Sequence, residues 1–175
     1  MRFGEIYMYG LAEDWGNFTE SIIRAVDFSS KNGNEWMWRN NEKKENGKEF
    51  FLGSLQNYQI QLYNIKNIAA IMNMREIANK ILEYYPDDVR SLSNLSSTYI
   101  FTGDLDKGLL YLLKAEKLVP EDPIVLNNLG RTYQLKGEKK LAIKYYEKTL
   151  KYIDEKSAGI IKQEIEELKK FRARN

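Results

Sequence analysis

The chain repeats itself. Shifting residues 89–152 by 34 positions brings Leu92 onto Leu126, Asn94 onto Asn128, Leu95 onto Leu129, Gly103 onto Gly137 and Tyr111 onto Tyr145. Thr98-Tyr99 falls on Thr132-Tyr133, and Pro86-Asp87-Asp88 on Pro120-Glu121-Asp122, in the same register. A period of this length marks a supersecondary unit that cannot bury its apolar face alone and does so against the next copy. The core is therefore expected between stacked units rather than inside one closed sheet or barrel.

Each unit reads as two helices. Leu126, Leu129 and Tyr133 recur at helical spacing over residues 123–135. Pro123 suits the first helical position with Asp122 as N-cap, and Gly137 supplies the left-handed residue that ends the helix. The second helix is expected over residues 139–152, burying Leu141, Ala142, Tyr145, Tyr146 and Leu150. The preceding unit follows the same plan: Leu92, Leu95 and Tyr99, a turn at Gly103-Asp104, then Leu109, Leu112 and Ala115. Small residues stand where helices would cross, Ser96 and Gly130 in the first helices and Gly108 and Ala142 in the second, which permits close approach. The tyrosines are expected to fill the wedge between neighbouring hairpins.

This combination resembles the tetratricopeptide repeat family, which shares the period and a similar leucine, glycine, tyrosine, alanine and proline pattern. Leu92 and Leu126 stand where the family usually has tryptophan, and Gly108 and Thr149 where it has alanine. The resemblance implies an all-α fold, a short right-handed superhelical solenoid of antiparallel helix hairpins. It implies function as well: the first helices line a concave groove that holds a peptide or protein segment. Carried over residue by residue, the groove positions are Gln59 and Tyr63, then Arg90, Ser93, Ser97, Ile100 and Phe101, then Ile124, Asn127, Arg131, Gln134 and Leu135. Tyr63, Arg90, Ser97, Phe101, Asn127, Arg131 and Gln134 are the candidate binding residues, with two arginines to accept a carboxylate and two rings to anchor apolar groups. Relatives that clamp the C-terminal carboxylate of chaperones use lysine and asparagine, then asparagine, then lysine and arginine. The matching places here hold Gln59 and Tyr63, Asn94, and Ile124 and Asn128; only Asn94 agrees.

The rest of the chain is read as worn or closing parts of the same array, all in one domain. Residues 1–48 are expected to form a degenerate helical hairpin and a polar loop, with a helix over 19–28 built on Ile22, Ile23, Ala25, Val26 and Phe28. Residues 29–34 are rich in turn formers and read as a loop. Trp36 and Trp38 are expected to pack on a neighbouring helix, and Trp15 falls in an insertion within the hairpin. Residues 49–88 read as a divergent repeat, with helices over 49–70 and 73–85 and a boundary near Ile71-Met72. After the repeats at 89–122 and 123–155, residues 156–175 form a capping helix with Ile161, Ile165, Leu168 and Phe171 on one face and charges on the other.

Composition narrows the chemistry. The chain has 175 residues, no cysteine and no histidine, so it lacks thiol chemistry, the commonest general base and the commonest metal ligand. Glu121-Asp122 and Asp87-Asp88 recur at the turn between repeats and read as helix caps, not as an acid–base pair. No calcium loop and no phosphate-cradling glycine motif is present. The expectation is a non-enzymatic protein-interaction module without cofactor or metal. The alternatives are a helical scaffold within a larger multidomain protein, or salt-sensitive nucleic-acid binding through the basic C-terminal end, where residues 136–175 carry twelve basic and seven acidic groups. Nucleic acid is the less favoured partner, because no base-reading pair recurs from repeat to repeat. A homodimer through the last helix is the remaining partner expectation. No apolar run is long enough to span a bilayer and the first residues do not read as a signal peptide, which favours the cytoplasm.

Overall fold

The computed structural model describes residues 14–32 and 47–170. The expected first half-hairpin before residue 14, Trp36 and Trp38, most of the polar loop, and Phe171 lie outside the described residues, as does the side chain of Trp15. Among the described residues there are eight helices and no strand. In order they are α1 (Trp15–Asn32), α2 (Gly47–Ile65), α3 (Ile68–Tyr84), α4 (Val89–Phe101), α5 (Leu105–Leu118), α6 (Pro123–Leu135), α7 (Lys139–Thr149) and α8 (Glu155–Lys170). They fall into two compact units, Met1–Thr98 and Tyr99–Asn175.

In the first unit, α1 and α2 both pack on α3. Their core joins Phe18, Ile22 and Val26 of α1 to Phe51, Leu55 and Leu62 of α2 and Ile77 and Ile81 of α3. Phe18 meets Tyr58 edge-on at 5.5 Å, a favoured arrangement for aromatic quadrupoles. Helix α1 continues through Asn32, so Ser29–Asn32 are helical rather than loop. Tertiary packing overrides the turn preference of these residues: Ser29 is buried, and Ser30 Oγ donates to Tyr85 Oη at 3.4 Å. One turn earlier, Asp27 accepts from Tyr84 Oη at 2.6 Å and pairs with Lys80 Nζ at 2.9 Å.

The break between α2 and α3 lies at Lys66-Asn67, five residues before the expected boundary. Lys66 adopts a left-handed φ of 55°, and the Asn67 side chain accepts from Ala70 N at 2.8 Å as an N-cap. A lysine here does the work that Gly103 and Gly137 do at the turns of the two later hairpins, and Ile71 is a core residue of α3, not a turn. Helix α4 is tied to both partners. The Asn94 and Gln56 amides pair, with Asn94 Nδ2 donating to Gln56 Oε1 at 2.6 Å. Arg75 donates from α3 to Thr98 Oγ1 and to the Thr98 carbonyl, at 3.1 and 2.8 Å.

In the second unit, α5, α6, α7 and α8 pack each on the next. Asp122 accepts from the backbone N–H of Ile124 and Val125 at 2.8 and 3.0 Å, and Pro123 stands at the start of α6. Gly103 and Gly137 both carry positive φ, 85° and 77°, at positions one period apart. Helix α7 ends at Thr149, three residues short of the expected 152. Asp154 then caps α8, accepting from Ser157 N at 2.8 Å. Gly130 is a true crossing point. A Cβ built there would lie 2.6 Å from Cδ1 of Tyr146.

The tyrosines stack within hairpins. Tyr99 stacks on Tyr111 at 5.7 Å and Tyr133 on Tyr145 at 5.4 Å, so each pair joins the two helices of a single hairpin. Tyr145 also reaches the preceding hairpin, where it donates to Glu116 at 3.0 Å beside the Lys148–Glu116 ion pair at 2.9 Å. Helix α8 buries Ala158, Ile161, Ile165 and Leu168. Its outward side is polar or charged apart from Gly159 and the exposed Ile160, the polar outer face that closes a stack of repeats.

Candidate partner-binding face

The buried side of α6 comprises Val125, Leu126, Leu129, Gly130, Thr132 and Tyr133. The helical period then forces Ile124, Asn127, Arg131 and Leu135 onto the opposite stripe, at i, i+3, i+7 and i+11. Ile124 is 67% exposed and Leu135 54%, large values for aliphatic side chains. Arg131 is exposed between them and Asn127 is half-buried. The stripe offers two apolar contacts flanking an amide and a guanidinium, the mixture that recognises an extended chain by side-chain pockets and hydrogen bonds together.

Gln134 borders this stripe but is engaged. Its Oε1 accepts from Tyr146 Oη at 2.6 Å, and its Nε2 donates to Glu164 of α8 at 2.9 Å. Burial, with the nearby Glu164 charge, pushes the Tyr146 phenol up to about 12, while the Arg131 charge acts in the opposite sense. A carboxylate and a guanidinium therefore act together on one phenol at the C-terminal end of α6. Sequence reasoning missed Glu164. The available signal was an acid set within the apolar spacing of Ile161, Ile165 and Leu168.

Phe101 is exposed at the last position of α4 and belongs to the second unit. The remaining candidates belong to the first. Tyr63 is half-buried and packs against that unit's core. Arg90 is exposed and reaches Glu49 of α2 at 3.2 Å, a surface pair of the kind worth little to stability and easily exchanged for another carboxylate. Ser97 Oγ donates to the Ser93 carbonyl at 3.0 Å. Two of the wider groove positions are closed to a ligand: Gln59 lies in the interior and Ser93 is buried. Asn94, the one residue that matched the chaperone clamp, is buried with its amide spent on Gln56.

The basic excess of the C-terminal end is not on α8. There, Lys162 pairs with Glu155 at 2.6 Å, Lys169 with Glu147 at 3.1 Å, and Lys170 with Glu166 at 3.8 Å. Among the described residues it falls on α7, whose Lys140 and Lys144 are exposed, while Arg172 and Arg174 lie outside them. Among the described residues, no group of acids could hold a metal ion, and no helix is long and apolar enough to cross a membrane.

A family model for the tetratricopeptide repeat matches residues 89–122 and 124–155. Residues 89–122 and 124–155 are tetratricopeptide repeats. The matched ranges cover two helix hairpins, α4–α5 and α6–α7. Tetratricopeptide repeats are modules of protein–protein interaction, and the exposed stripe of α6 lies on the first helix of one. Among solved structures, 34 chains match. One, named MamA RS-1 ArsTM double mutant, is 18% identical with a TM-score of 0.43, covering 81% of this chain and 93% of that one. No curated protein matches the chain.

Proposed function

We propose that this protein acts without catalysis by holding a segment of another protein against the exposed stripe of α6, with Phe101 as a further apolar anchor. The observation that carries the reading is the pattern on α6: Ile124 and Leu135 stand exposed at either end with Arg131 between them, although the opposite stripe is fully packed. Leaving two aliphatic side chains in water on a well-packed helix has no benefit to the fold. It suits a partner that brings apolar side chains on either side of an acidic group, which Arg131 can grip by a charge-assisted fork. Asn127 adds an amide for the partner's backbone, and Gln134, fixed by Tyr146 and Glu164, frames the end of the stripe. Tyr63, Arg90 and Ser97 form the corresponding candidates on the first unit, where Arg90 can exchange Glu49 for a partner carboxylate.

The test is selection from a displayed random peptide library. The full chain should enrich peptides that place an acidic residue between apolar ones, and these should bind Arg131→Glu and Ile124→Asp variants far more weakly. Peptides that bind both variants as well as the parent would exclude this face.

A further inference from the structure

Helix α8 carries different charges on its two flanks. Along one, Lys169 reaches Glu147 of α7 at 3.1 Å and Lys162 pairs with Glu155 at 2.6 Å. Along the other, Glu164 accepts from Gln134 of α6 at 2.9 Å. Ile160 lies one turn before Glu164 on that same side, and at 76% exposure it is more open than Ile124 or Leu135 of the α6 stripe. Glu164 is half-buried, yet the donor it has is a neutral amide. Lys162, Lys169 and Lys170 take Glu155, Glu147 and Glu166 instead, and among the described residues neither Glu164 nor Arg131 has an ion-pair partner. A carboxylate that has given up part of its hydration is better served by a cation than by an amide. The two unpaired charges are neighbours, since both act on the phenol of Tyr146 and in opposite senses.

We infer that this flank of α8 is the second wall of the α6 site, where Glu164 selects a basic residue of the partner and Ile160 takes an apolar one. The inference rests on the reading of the α6 stripe given above and narrows the partner's chemistry. Arg131 and Gln134 are three residues apart on α6, so their side chains stand about 5–6 Å apart, and Glu164 is hydrogen-bonded to Gln134. An extended segment places alternate side chains on one face roughly 7 Å apart. Its acid, on Arg131, and its base, on Glu164, therefore stand two residues apart, with apolar residues beside them. The pairing also fixes the direction of the segment, because a reversed chain would set like charges against each other.

Peptides selected by the full chain test this. The enriched set should carry a base two residues from the acid. Fluorescence anisotropy then compares one such peptide with a copy in which glutamine replaces the base. Glu164→Gln keeps an acceptor for Gln134 and removes the charge. It should bind the basic peptide about fivefold or more weakly than the parent does, and the neutral copy equally well. Glu164→Lys should prefer a copy with an acid in place of the base, a switch that loss of structure cannot produce. Ile160→Ser should weaken both peptides, and thermal melts check that each variant is folded. Enriched peptides without a basic preference overturn the role of Glu164 and leave the α6 site standing, as does a basic peptide that binds Glu164→Gln and Glu164→Lys as tightly as the parent. Binding unmoved by Ile160→Ser overturns the apolar part of the wall. If Arg131→Glu and Ile124→Asp bind these peptides as the parent does, or if nothing is enriched, the α6 site falls and the inference with it.

Discussion

Replacing glycine by alanine inside a helix ordinarily stabilises it by about 0.5–1 kcal/mol, because glycine loses more backbone freedom on folding. Gly130→Ala should do the reverse. The new methyl carbon would lie 2.6 Å from Cδ1, 2.7 Å from Cε1 and 3.1 Å from Cγ of Tyr146. It would press on the body of the ring, not on the end of a flexible chain. The ring cannot swing away freely: it is buried, and its hydroxyl is held at 2.6 Å by Gln134. Overpacking of this kind costs roughly 1–3 kcal/mol, and losing the Tyr146–Gln134 hydrogen bond adds about 1 kcal/mol. Set against the propensity gain, the net is a loss of roughly 1–3 kcal/mol, or about 2–4 °C in Tm for each kcal/mol in a chain of this size. Gly159, exposed on α8, is the control. A Cβ there meets nothing within 4 Å, so Gly159→Ala should be neutral or stabilising. Thermal and urea melts of the two variants should move in opposite directions, and the Gly130→Ala penalty should shrink in a Tyr146→Ala background. If Gly130→Ala raises stability as Gly159→Ala does, the close approach of α6 and α7 is not what the glycine serves.

Arg131→Ala and Ile124→Ala should each weaken a selected peptide by about 1–2 kcal/mol or more if they are hot spots, with unchanged melting, as titration calorimetry beside thermal melts can show. Asp122→Ala removes the acceptor of two backbone N–H groups and should cost about 1 kcal/mol in a urea titration, with Asp122→Asn recovering part of it. The Asp27 carboxyl is held below its ordinary value, chiefly by the Tyr84 hydroxyl and next by Lys80. A lowered folded value means a contribution present above the unfolded carboxylate range and lost as pH falls through the folded value. Stability measured from neutral pH into acid should therefore decline less steeply in Asp27→Asn and Tyr84→Phe than in the parent, and an unchanged acid limb in both would contradict the assigned partners.

The parts of the fold most readable in the sequence are those where local chemistry and the period agree. Asp122-Pro123 at one end of α6 and Gly137 just beyond the other bracket a helix whose bounds match the reading of residues 123–135. Where the divergent hairpin turns, the usual glycine is replaced by Lys66 in a left-handed conformation; without glycine only the Asn67 cap signals the turn, which lies five residues before the boundary that the sequence predicts. Ser29–Asn32 look like a loop because serine and asparagine favour turns in isolation, yet the packing of α1 on α3 keeps them helical. The tyrosine stacks show the limit of periodicity. It placed Tyr99, Tyr111, Tyr133 and Tyr145 at equivalent positions but could not say which helices each pair would join. For the candidate face, spacing marks which residues of α6 can share a stripe. The locking of Gln134 by Glu164 joins residues 30 positions apart, off the repeat period, and no pattern within one unit could reveal it.

The bond from Tyr145 to Glu116 bears on how far such an array can be lengthened. The position one period after Glu116 is Leu150. A further copy of the last hairpin, appended in register, would bring a tyrosine hydroxyl against a leucine and strand the phenol without an acceptor, at about 1–3 kcal/mol. Growth in that direction is discouraged by a single side chain, and an engineer extending the protein would begin by restoring an acid at residue 150.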